Sequence, residues 1–183
     1  MTKKYYYDWQ DIEDSCISIA LQMYRDSWRP DYIVGITRGG NIPATILSNM
    51  LDIRCEALKV SLRDSGDCET NCWMSEDAFG YVPPEEQTIL KSRWDLHRRR
   101  NILIVDDIND TGATFNWIKQ DWQSSCMPSE QSWETVWHNN VRFATLTDNL
   151  SSEFDGEVDY SAHEINKAEE DTWLVYPWES VGS

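Results

Sequence analysis

Short apolar runs alternate with amphipathic segments along this chain of 183 residues. Four runs predict buried β-strands because they are rich in aliphatic residues and bounded by polar ones, namely residues 31–36, 55–60, 102–105 and 141–146. Helical spacing of apolar residues predicts an amphipathic helix over residues 9–27. Further helices are expected over residues 44–51 and from Ala113 onward. Strands that alternate with helices predict an α/β fold, with a mainly parallel twisted sheet flanked by helices and ligands gathered at the carboxyl ends of its strands.

Carboxylates and a small, hydroxyl-rich turn follow the apolar run 102–105, in the segment 106–114 with the sequence DDINDTGAT. Residues 111–114 are expected at the N-terminus of the following helix, where backbone N–H groups and the helix dipole attract a phosphate. The neighbouring acids suit a ligand that also offers hydroxyl groups, or a hard cation that balances their charge. The segment therefore predicts a site for a phosphorylated sugar with magnesium.

Three other interpretations fit this segment less well. Its start mimics the first ligands of an EF-hand loop counted from Asp107, but the twelfth position is Ile118, where a glutamate is needed. A haloacid-dehalogenase-like phosphatase would use Asp107 as a nucleophile, but that motif belongs near the start of a domain, and here an α/β half precedes it. A solvated acidic loop is disfavoured because acids placed against the end of a buried strand commonly serve a ligand.

A second candidate segment follows the predicted strand 31–36. It reads Thr37-Arg38-Gly39-Gly40, and a helix comes after it. The two glycines let the backbone approach a ligand closely, and Arg38 supplies a cation for a multiply charged leaving group. Alone, such a segment is more often a tight turn between a strand and a helix. Beside the acidic segment, it predicts a second anion-binding element.

These two segments, in this order, resemble the type I phosphoribosyltransferases. Residues 105–114 are similar to the family's signature for phosphoribosyl pyrophosphate (PRPP), and residues 37–40 to its pyrophosphate loop, in which the peptide before the arginine is often cis. A third segment, 171–178 (DTWLVYPW), resembles the hood of the bacterial xanthine-guanine and hypoxanthine phosphoribosyltransferases. The resemblance implies one phosphoribosyltransferase domain over residues 1–183, with a small C-terminal hood from about residue 147.

The resemblance also implies a reaction, in which the phosphoribosyl group of PRPP passes to a purine and pyrophosphate leaves, with Mg²⁺ as cofactor. Asp106 and Asp107 would hold the ribose hydroxyls, Asp107 also lying near the metal. Asp110 would be the acid/base that exchanges a proton with the purine ring nitrogen that attacks the sugar. Trp173 would stack on the base, and the backbone of Leu174 would read its edge. The complete PRPP site implied by the resemblance is Thr37, Arg38, Gly39, Asp106, Asp107, Asp110, Thr111, Gly112, Ala113 and Thr114.

One departure from the family concerns the base. The 6-oxopurine enzymes carry a lysine shortly after the strand equivalent to residues 141–146, and here Asn149 is nearest to that position. Asn149 can donate a neutral hydrogen bond to the base, weaker than that of an ammonium. Lys167 could compensate, or it could be a solvated lysine. Three functions thus stay open: transfer to guanine, xanthine or hypoxanthine, transfer to a different base, and non-catalytic PRPP-binding regulation. Asp110 favours catalysis because only chemistry on a base requires it.

Residues 61–100 form a polar stretch in which no periodic pattern is evident. A long irregular insertion in a compact domain is commonly disordered or functional. In the resembling family this place holds a flexible loop that closes over the reacting sugar. A surface insertion without a catalytic role is the alternative.

Charge and composition exclude several partners. The formal charge of −16 repels nucleic acid and anionic membranes. No apolar stretch reaches the length of a membrane span, and residues 1–7 lack the apolar core of a signal peptide, so a cytoplasmic protein is expected. The five cysteines are expected to be reduced thiols, since a metal site built on Cys68, Cys72 and His97 would lack a fourth ligand. The family resemblance implies a homo-oligomer, either a dimer or a tetramer.

Overall fold

A computed structural model describes residues 2–62, 67–68, 72–127 and 130–180. The strands in these ranges are β1 (Lys3–Tyr6), β2 (Tyr32–Thr37), β3 (Arg54–Ser61), β4 (Asp67–Cys68), β5 (Ile102–Asn109), β6 (Val141–Asn149), β7 (Tyr160–Ile165) and β8 (Thr172–Val175). The helices are α1 (Trp9–Arg25), α2 (Asn41–Leu51), α3 (Cys72–Phe79), α4 (Pro84–Leu90), α5 (Ala113–Cys126) and α6 (Glu130–Trp133), with a 3₁₀ helix at Leu96–Arg98.

Six strands form the main sheet in the order β4-β3-β2-β5-β6-β7. All of its neighbours are parallel except β3 and β4. The predicted α/β fold with a mainly parallel sheet is therefore confirmed, and the four predicted strands correspond to β2, β3, β5 and β6. Because β2 and β5 are adjacent and parallel, with Gly35 opposite Val105, both candidate ligand segments emerge at one edge of the sheet.

Successive residues of the central strands are buried on opposite faces of the sheet. In β5, Ile102 and Ile104 pack with helices α3, α5 and α6, whereas Leu103 and Val105 pack with α1 and α2. All four side chains are fully buried. Burial on both faces explains why the strand is apolar at every position rather than at alternate ones. The layers of helices hold the carboxyl ends of the strands in place around the ligand segments.

Helix α1 confirms the predicted amphipathic helix. Asp8 and Asp11 form a capping box at its start, and Ile12, Cys16 and Ile19 lie on its buried face. At 17 residues it is the longest helix of the described ranges, and neither it nor any other helix in them has the length and apolarity needed to cross a membrane.

The segment expected to form the hood divides between two sheets. Its first part ends β6 and supplies β7, which extends the main sheet. Its second part supplies β8, which pairs in parallel with β1, so that Lys3 lies opposite Thr172. The sequence did not predict β1, because all four of its residues are exposed and show no alternation of polar and apolar side chains.

The segment 61–100 is not irregular throughout, so that expectation was wrong for much of its length. Helices α3 and α4 and the 3₁₀ helix occupy it, and Met74 and Ala78 of α3 are buried against the sheet. Helices of 7 and 8 residues are too short to give a clear helical periodicity. Residues 63–66 and 69–71, as well as the side chains of Cys68 and Cys72, lie outside the described residues. The lid interpretation of this segment stays a prediction.

Candidate active site

A cleft of about 1060 Å³ opens at the carboxyl ends of β2, β3 and β5 and is bordered by β8. It is lined by every residue that the sequence assigned to the PRPP site. Trp173 and Leu174 also line it, whereas Asn149 does not. The three segments that the sequence singled out, which are far apart along the chain, therefore meet in one cavity.

The loop 37–40 and the acid Asp107 contact each other across the boundary between β2 and β5. The Thr37–Arg38 peptide is cis, as the resemblance implied. A Cβ atom added to Gly39 would stand 2.1 Å from Asp107 Oδ2, so the carboxylate lies directly against the glycine backbone. A Cβ at Gly40 would likewise meet the carbonyl oxygen of Val105 at 2.4 Å. Both glycines are required by close packing of this loop on β5.

Asp106 and Asp107 lie in the C-terminal half of β5, and their carboxylates accept from nearby backbone amides. Asp106 Oδ1 accepts from Asp107 N at 2.9 Å, and Asp107 Oδ1 accepts from Ile108 N at 2.8 Å. The hydroxyl of Tyr176 donates to the carbonyl oxygen of Asp107 at 3.1 Å. These bonds orient two adjacent acids at the floor of the cleft.

Residues 111–114, named here the phosphate turn, lead into helix α5. Gly112 precedes the helix with a φ of +88°, a conformation that favours glycine, and a Cβ there would meet Phe154 N at 2.3 Å. Glu153 N donates to Thr111 O at 2.9 Å, which fastens the turn to the segment after β6. The first-turn N–H groups of α5 lack partners within the helix and border the cleft through Ala113 and Thr114.

Asp110, the predicted acid/base, forms an ion pair with Lys167. The distance from Lys167 Nζ to Asp110 Oδ1 is 2.9 Å, and the two side chains are 20% and 24% exposed, respectively. Lys167 lies in the turn that follows β7, and it lines the cleft. Of the two interpretations of Lys167 that the sequence left open, the solvated lysine is therefore wrong.

Asn149 does not occupy the base-binding position that the sequence suggested, and this expectation is corrected. Asn149 is buried and is not among the residues that line the cleft, and backbone groups bind its side-chain amide. Nδ2 donates to Asp110 O at 2.8 Å, and Oδ1 accepts from Lys167 N at 3.0 Å. The alignment along the sequence correctly placed Asn149 at the end of β6, but it could not reveal the side chain's direction.

Trp173 and Leu174 lie on β8 and divide between solvent and core. Trp173 is 52% exposed and presents its ring along the cleft wall, whereas Leu174 is buried against the core face that α1 covers. Strand β8 is held by β1 on one side and by Tyr176, whose ring stacks on Tyr7 at 5.3 Å. An exposed indole at the edge of a polar cleft offers a stacking surface for a planar ligand.

Of the further residues that line the cleft and were not predicted, four carry polar or aromatic groups that bear on its chemistry. Lys59 follows Leu58 on β3 and brings a second cation to the edge that holds Arg38. Trp178 stacks on Tyr176 with 4.8 Å between ring centroids and an interplanar angle of 2°. Burial and the negative charge of Asp107 raise the pKa of the Glu179 carboxyl. The sequence held a signal for Lys59, because it lies near the end of a predicted strand, and parallel strands that neighbour each other end at the same edge of a sheet. The others are Tyr176, Trp178 and Glu179, which come from a segment without a periodic pattern.

The acids of the cleft fit a magnesium ion that is held jointly by the protein and by a bound substrate. In the part of the chain that the structure describes, no three His, Cys, Asp or Glu side chains converge as a closed metal site. Mg²⁺ commonly keeps several waters and takes one or two carboxylates together with substrate oxygens. Asp106 and Asp107, adjacent at the cleft floor, can supply such carboxylates, Asp107 facing the loop that carries Arg38.

Comparisons with known proteins agree with this geometry. Residues 3–176 match the model of the phosphoribosyl transferase domain. Over 200 residues the chain is 26% identical to the hypoxanthine-guanine phosphoribosyltransferase of Schizosaccharomyces pombe, covering 96% of this chain and 88% of that protein. It is also 26% identical to the xanthine-guanine phosphoribosyltransferase of Cereibacter sphaeroides over 182 residues, or 97% and 87% of the two chains.

Among solved structures, the purine phosphoribosyltransferase of Pyrococcus horikoshii shares the fold. The two structures superpose with a TM-score of 0.63 at 20% identity, and the match covers 100% of this chain and 98% of that one. The family model spans all three segments of the cleft, from the loop 37–40 to Trp173. This chain belongs to the phosphoribosyltransferase family.

Proposed function

We propose that this chain transfers the phosphoribosyl group of PRPP to a 6-oxopurine, namely guanine, xanthine or hypoxanthine, with release of pyrophosphate. The observation that carries the proposal is the pair formed by Asp110 and Lys167, which lies in the same cleft as the phosphate turn and Trp173. Relatives that act on hypoxanthine, guanine and xanthine, by their names, support this base class.

The donor PRPP is assigned to the floor of the cleft. The N–H groups at the start of α5 and the hydroxyls of Thr111 and Thr114 suit its 5′-phosphate. Asp106 and Asp107 accept from the ribose hydroxyls. The loop 37–40 receives the pyrophosphate, where Arg38 and Lys59 oppose its negative charge. These cations are needed locally, because the whole chain carries a formal charge of −16.

Magnesium is proposed to bind at Asp107, with Asp106 as its neighbour. When bound, the ion would neutralise charge on the pyrophosphate as it departs. The protein's own contribution at this point is orientation, since Tyr176 fixes the Asp107 backbone and Gly39 leaves space for its carboxylate.

The purine is assigned to the space between Trp173 and the Asp110–Lys167 pair. The pair presents a carboxylate acceptor and an ammonium donor 2.9 Å apart. A 6-oxopurine offers a matching edge, because the N–H on its five-membered ring lies beside its exocyclic oxygen. An amino group at the 6-position would place a donor against the ammonium, so 6-aminopurines such as adenine are rejected.

This geometry refines the role of Asp110. The nitrogen beside the exocyclic oxygen is N7, so Asp110 takes the N7 proton, while N9 forms the bond to C1′ of the ribose. The C1′–oxygen bond breaks, and its electron pair leaves with the pyrophosphate. Loss of the N7 proton to Asp110 neutralises the purine as the bond to N9 forms, a form of general base catalysis.

The sequence also left open a non-catalytic PRPP-binding regulator and a transferase for another base. Both rested on the missing lysine after β6. Lys167 supports the catalytic proposal because it brings an ammonium to the cleft from a later segment. No separate observation favours the regulator.

The test is incubation of the protein with PRPP, Mg²⁺ and each of guanine, xanthine, hypoxanthine, adenine, uracil and orotate, with pyrophosphate release as readout. Release with at least one 6-oxopurine, and none with adenine, is the expected result. Tight PRPP binding without pyrophosphate release on any base would contradict the transferase and favour the non-catalytic regulator. Release with a pyrimidine alone would reassign the base. Omission of Mg²⁺ in a parallel series tests the proposed cofactor.

We further propose a homo-oligomer in the cytoplasm. The outer face of α1 carries a row of exposed apolar side chains, with Ile17 and Leu21 flanked by Asp14 and Arg25. Two antiparallel copies of this helix would bring each Asp14 opposite an Arg25 of the other copy. Light scattering on a sizing column, with Leu21→Lys as the comparison, tests this face. Within the described part of the chain, the thiols of Cys16 and Cys55 are not joined in disulfides, which supports a reducing compartment.

A further inference from the structure

The side-chain amide of Asn149 joins the backbones of the two residues that form the ion pair in the cleft. Its Nδ2 donates to Asp110 O at 2.8 Å, and its Oδ1 accepts from Lys167 N at 3.0 Å. The side chain is only 5% exposed. One amide thus contacts both partners of the pair while touching neither of their charged groups.

The position of Asn149 at the end of the sheet explains why this connection matters. In the strand order β5-β6-β7, the last residues in register are Asn109 with Asp148 and Asn149 with Ile165. Asp110 lies one residue beyond this point, and Lys167 lies two residues beyond it. At this point Leu150 N donates to Ile165 O at 2.8 Å, and the Asn149 side chain supplies the further bonds that reach Asp110 and Lys167.

The orientation of the amide is determined by its partners. Oδ1 also accepts from Ser151 N at 3.2 Å and from Ser151 Oγ at 2.8 Å, so three donors surround the oxygen. Nδ2 faces a carbonyl oxygen. A flipped amide would set its N–H groups against N–H donors and its oxygen against a carbonyl. The two contacts need a donor and an acceptor on separate atoms of one short side chain, which an amide provides and which aspartate, serine and lysine do not.

We propose that Asn149 is a positioning residue that holds Asp110 and Lys167 as one acceptor–donor unit for the base, a role that rests on the proposed function. A lysine has a long side chain with large rotamer freedom, so fixing its backbone restricts where its ammonium can lie. The bond to the Asp110 carbonyl oxygen likewise restricts where the Asp110 carboxylate can lie. The two groups are then held at the separation that a purine N7–H and its neighbouring oxygen require.

Asn149→Ala is expected to lower kcat/KM for the purine by about 100-fold, because a displacement of about 1 Å at reacting groups has an effect of this size. The KM for PRPP should stay within about twofold, since the phosphate turn is fastened separately by the bond from Glu153 N to Thr111 O. General destabilisation of the protein would not lower kcat/KM for the purine while leaving the KM for PRPP unchanged.

Asn140→Ala is the matched control. Asn140 is 7% exposed, and its Nδ2 donates to the carbonyl oxygens of Ala78 and Arg100 at 2.9 Å, remote from the cleft. It should lower Tm without changing the ratio of the two kinetic constants. Asn149→Asp, which keeps the acceptor and loses the donor, serves if the alanine variant does not fold, and is expected to lower kcat/KM for the purine in the same way.

Coupling to Lys167 gives a second readout. In a Lys167→Met background, Asn149→Ala should lower kcat/KM for the purine by a smaller factor than it does in the wild type, because the ammonium that Asn149 positions is already absent. Strictly additive effects would overturn the proposal, as would equal changes in the constants for purine and PRPP.

A third readout needs no turnover. Hydrogen exchange of the Lys167 amide, which donates to Asn149, should be slow in the wild type and fast in Asn149→Ala, with weaker binding of the product nucleotide GMP. If the wild-type protein transfers no base at all, the proposed function fails, and these two measurements still decide the positioning role. Unchanged exchange and unchanged GMP binding would overturn it.

Discussion

The carboxylate of Asp107 lies against the backbone of Gly39, with no room for even one added carbon atom between them. This contact joins the acidic end of β5 to the loop after β2. The two segments expected to bind the sugar and the pyrophosphate are therefore fixed relative to each other by packing, before any ligand arrives.

Gly39→Ala should weaken PRPP binding by about 100-fold, because the new methyl group displaces the Asp107 carboxylate by about 1 Å or more. The position is not in the left-handed region, so the fold should tolerate the residue itself. Titration calorimetry with PRPP measures the effect, and a melting curve serves as the control. Wild-type affinity in a folded Gly39→Ala protein would show that Asp107 does not bind the donor.

Asp110→Asn should abolish most turnover, by about 10²- to 10⁴-fold, because the amide cannot accept the N7 proton. PRPP affinity should remain nearly intact, since the carboxylate faces Lys167 and the base side of the cleft. Asp148→Asn is a matched control: Asp148 accepts from Asn109 and does not line the cleft. Pyrophosphate release and PRPP titration separate the two steps. Unchanged turnover would remove Asp110 from the mechanism.

Lys167→Met should reduce the preference for hypoxanthine over adenine by about 10- to 100-fold, the value of a hydrogen bond to a charged group. The methionine keeps most of the length and loses the donor. Lys119→Met offers a comparable partly buried lysine, paired with Asp155 outside the cleft, and should keep the preference. Competition between the two bases at saturating PRPP is the measurement, and a preserved ratio in Lys167→Met would contradict the assigned role.

Tyr176→Phe should cost about 1–3 kcal/mol of stability, because it leaves the Asp107 carbonyl without its buried donor. For a chain of this size, Tm should fall by roughly 2–4 °C per kcal/mol. Tyr24→Phe is the control, since Tyr24 is 82% exposed, and its change should stay within about 0.5 kcal/mol. Urea unfolding measures both variants, and equal effects would argue against the Asp107 contact.

Alkaline pH should destabilise the fold in part through Tyr160. Its hydroxyl is buried, accepts from Arg142 at 2.6 Å and donates to Asp26 at 2.9 Å. Burial raises the pKa of Tyr160 from 10.0 to about 12, so its contribution to stability is full below pH 10 and is lost as the pH rises through about 12. Tyr160→Phe should make the unfolding free energy less steep in pH over this range. An unchanged slope would mean that Tyr160 does not titrate with unfolding.

The features that could be predicted from the sequence are those that burial or the local order of residues determines. Strands such as β5 are apolar at each position because both faces are covered, and Gly112 marks a turn that needs a positive φ. The Lys167–Asp110 pair joins residues that are far apart in the chain, and no local pattern encodes such a distance. The direction of the Asn149 side chain depends on the same tertiary arrangement. On the side proposed for the donor, the cleft lining was thus largely predictable, whereas on the side proposed for the base Trp173 and Leu174 were predicted and the Lys167–Asp110 pair was not.

The pairing of β1 with β8 has a consequence for synthesis on the ribosome. Residues 3–6 find their hydrogen-bond partners only after residue 175 has been made. Until then the backbone of residues 3–6 has no strand to pair with, while the main sheet from β2 to β6 can already assemble. The wall that carries Trp173 is therefore the last part of the cleft to form, after the loop 37–40 and the phosphate turn have come together on the main sheet.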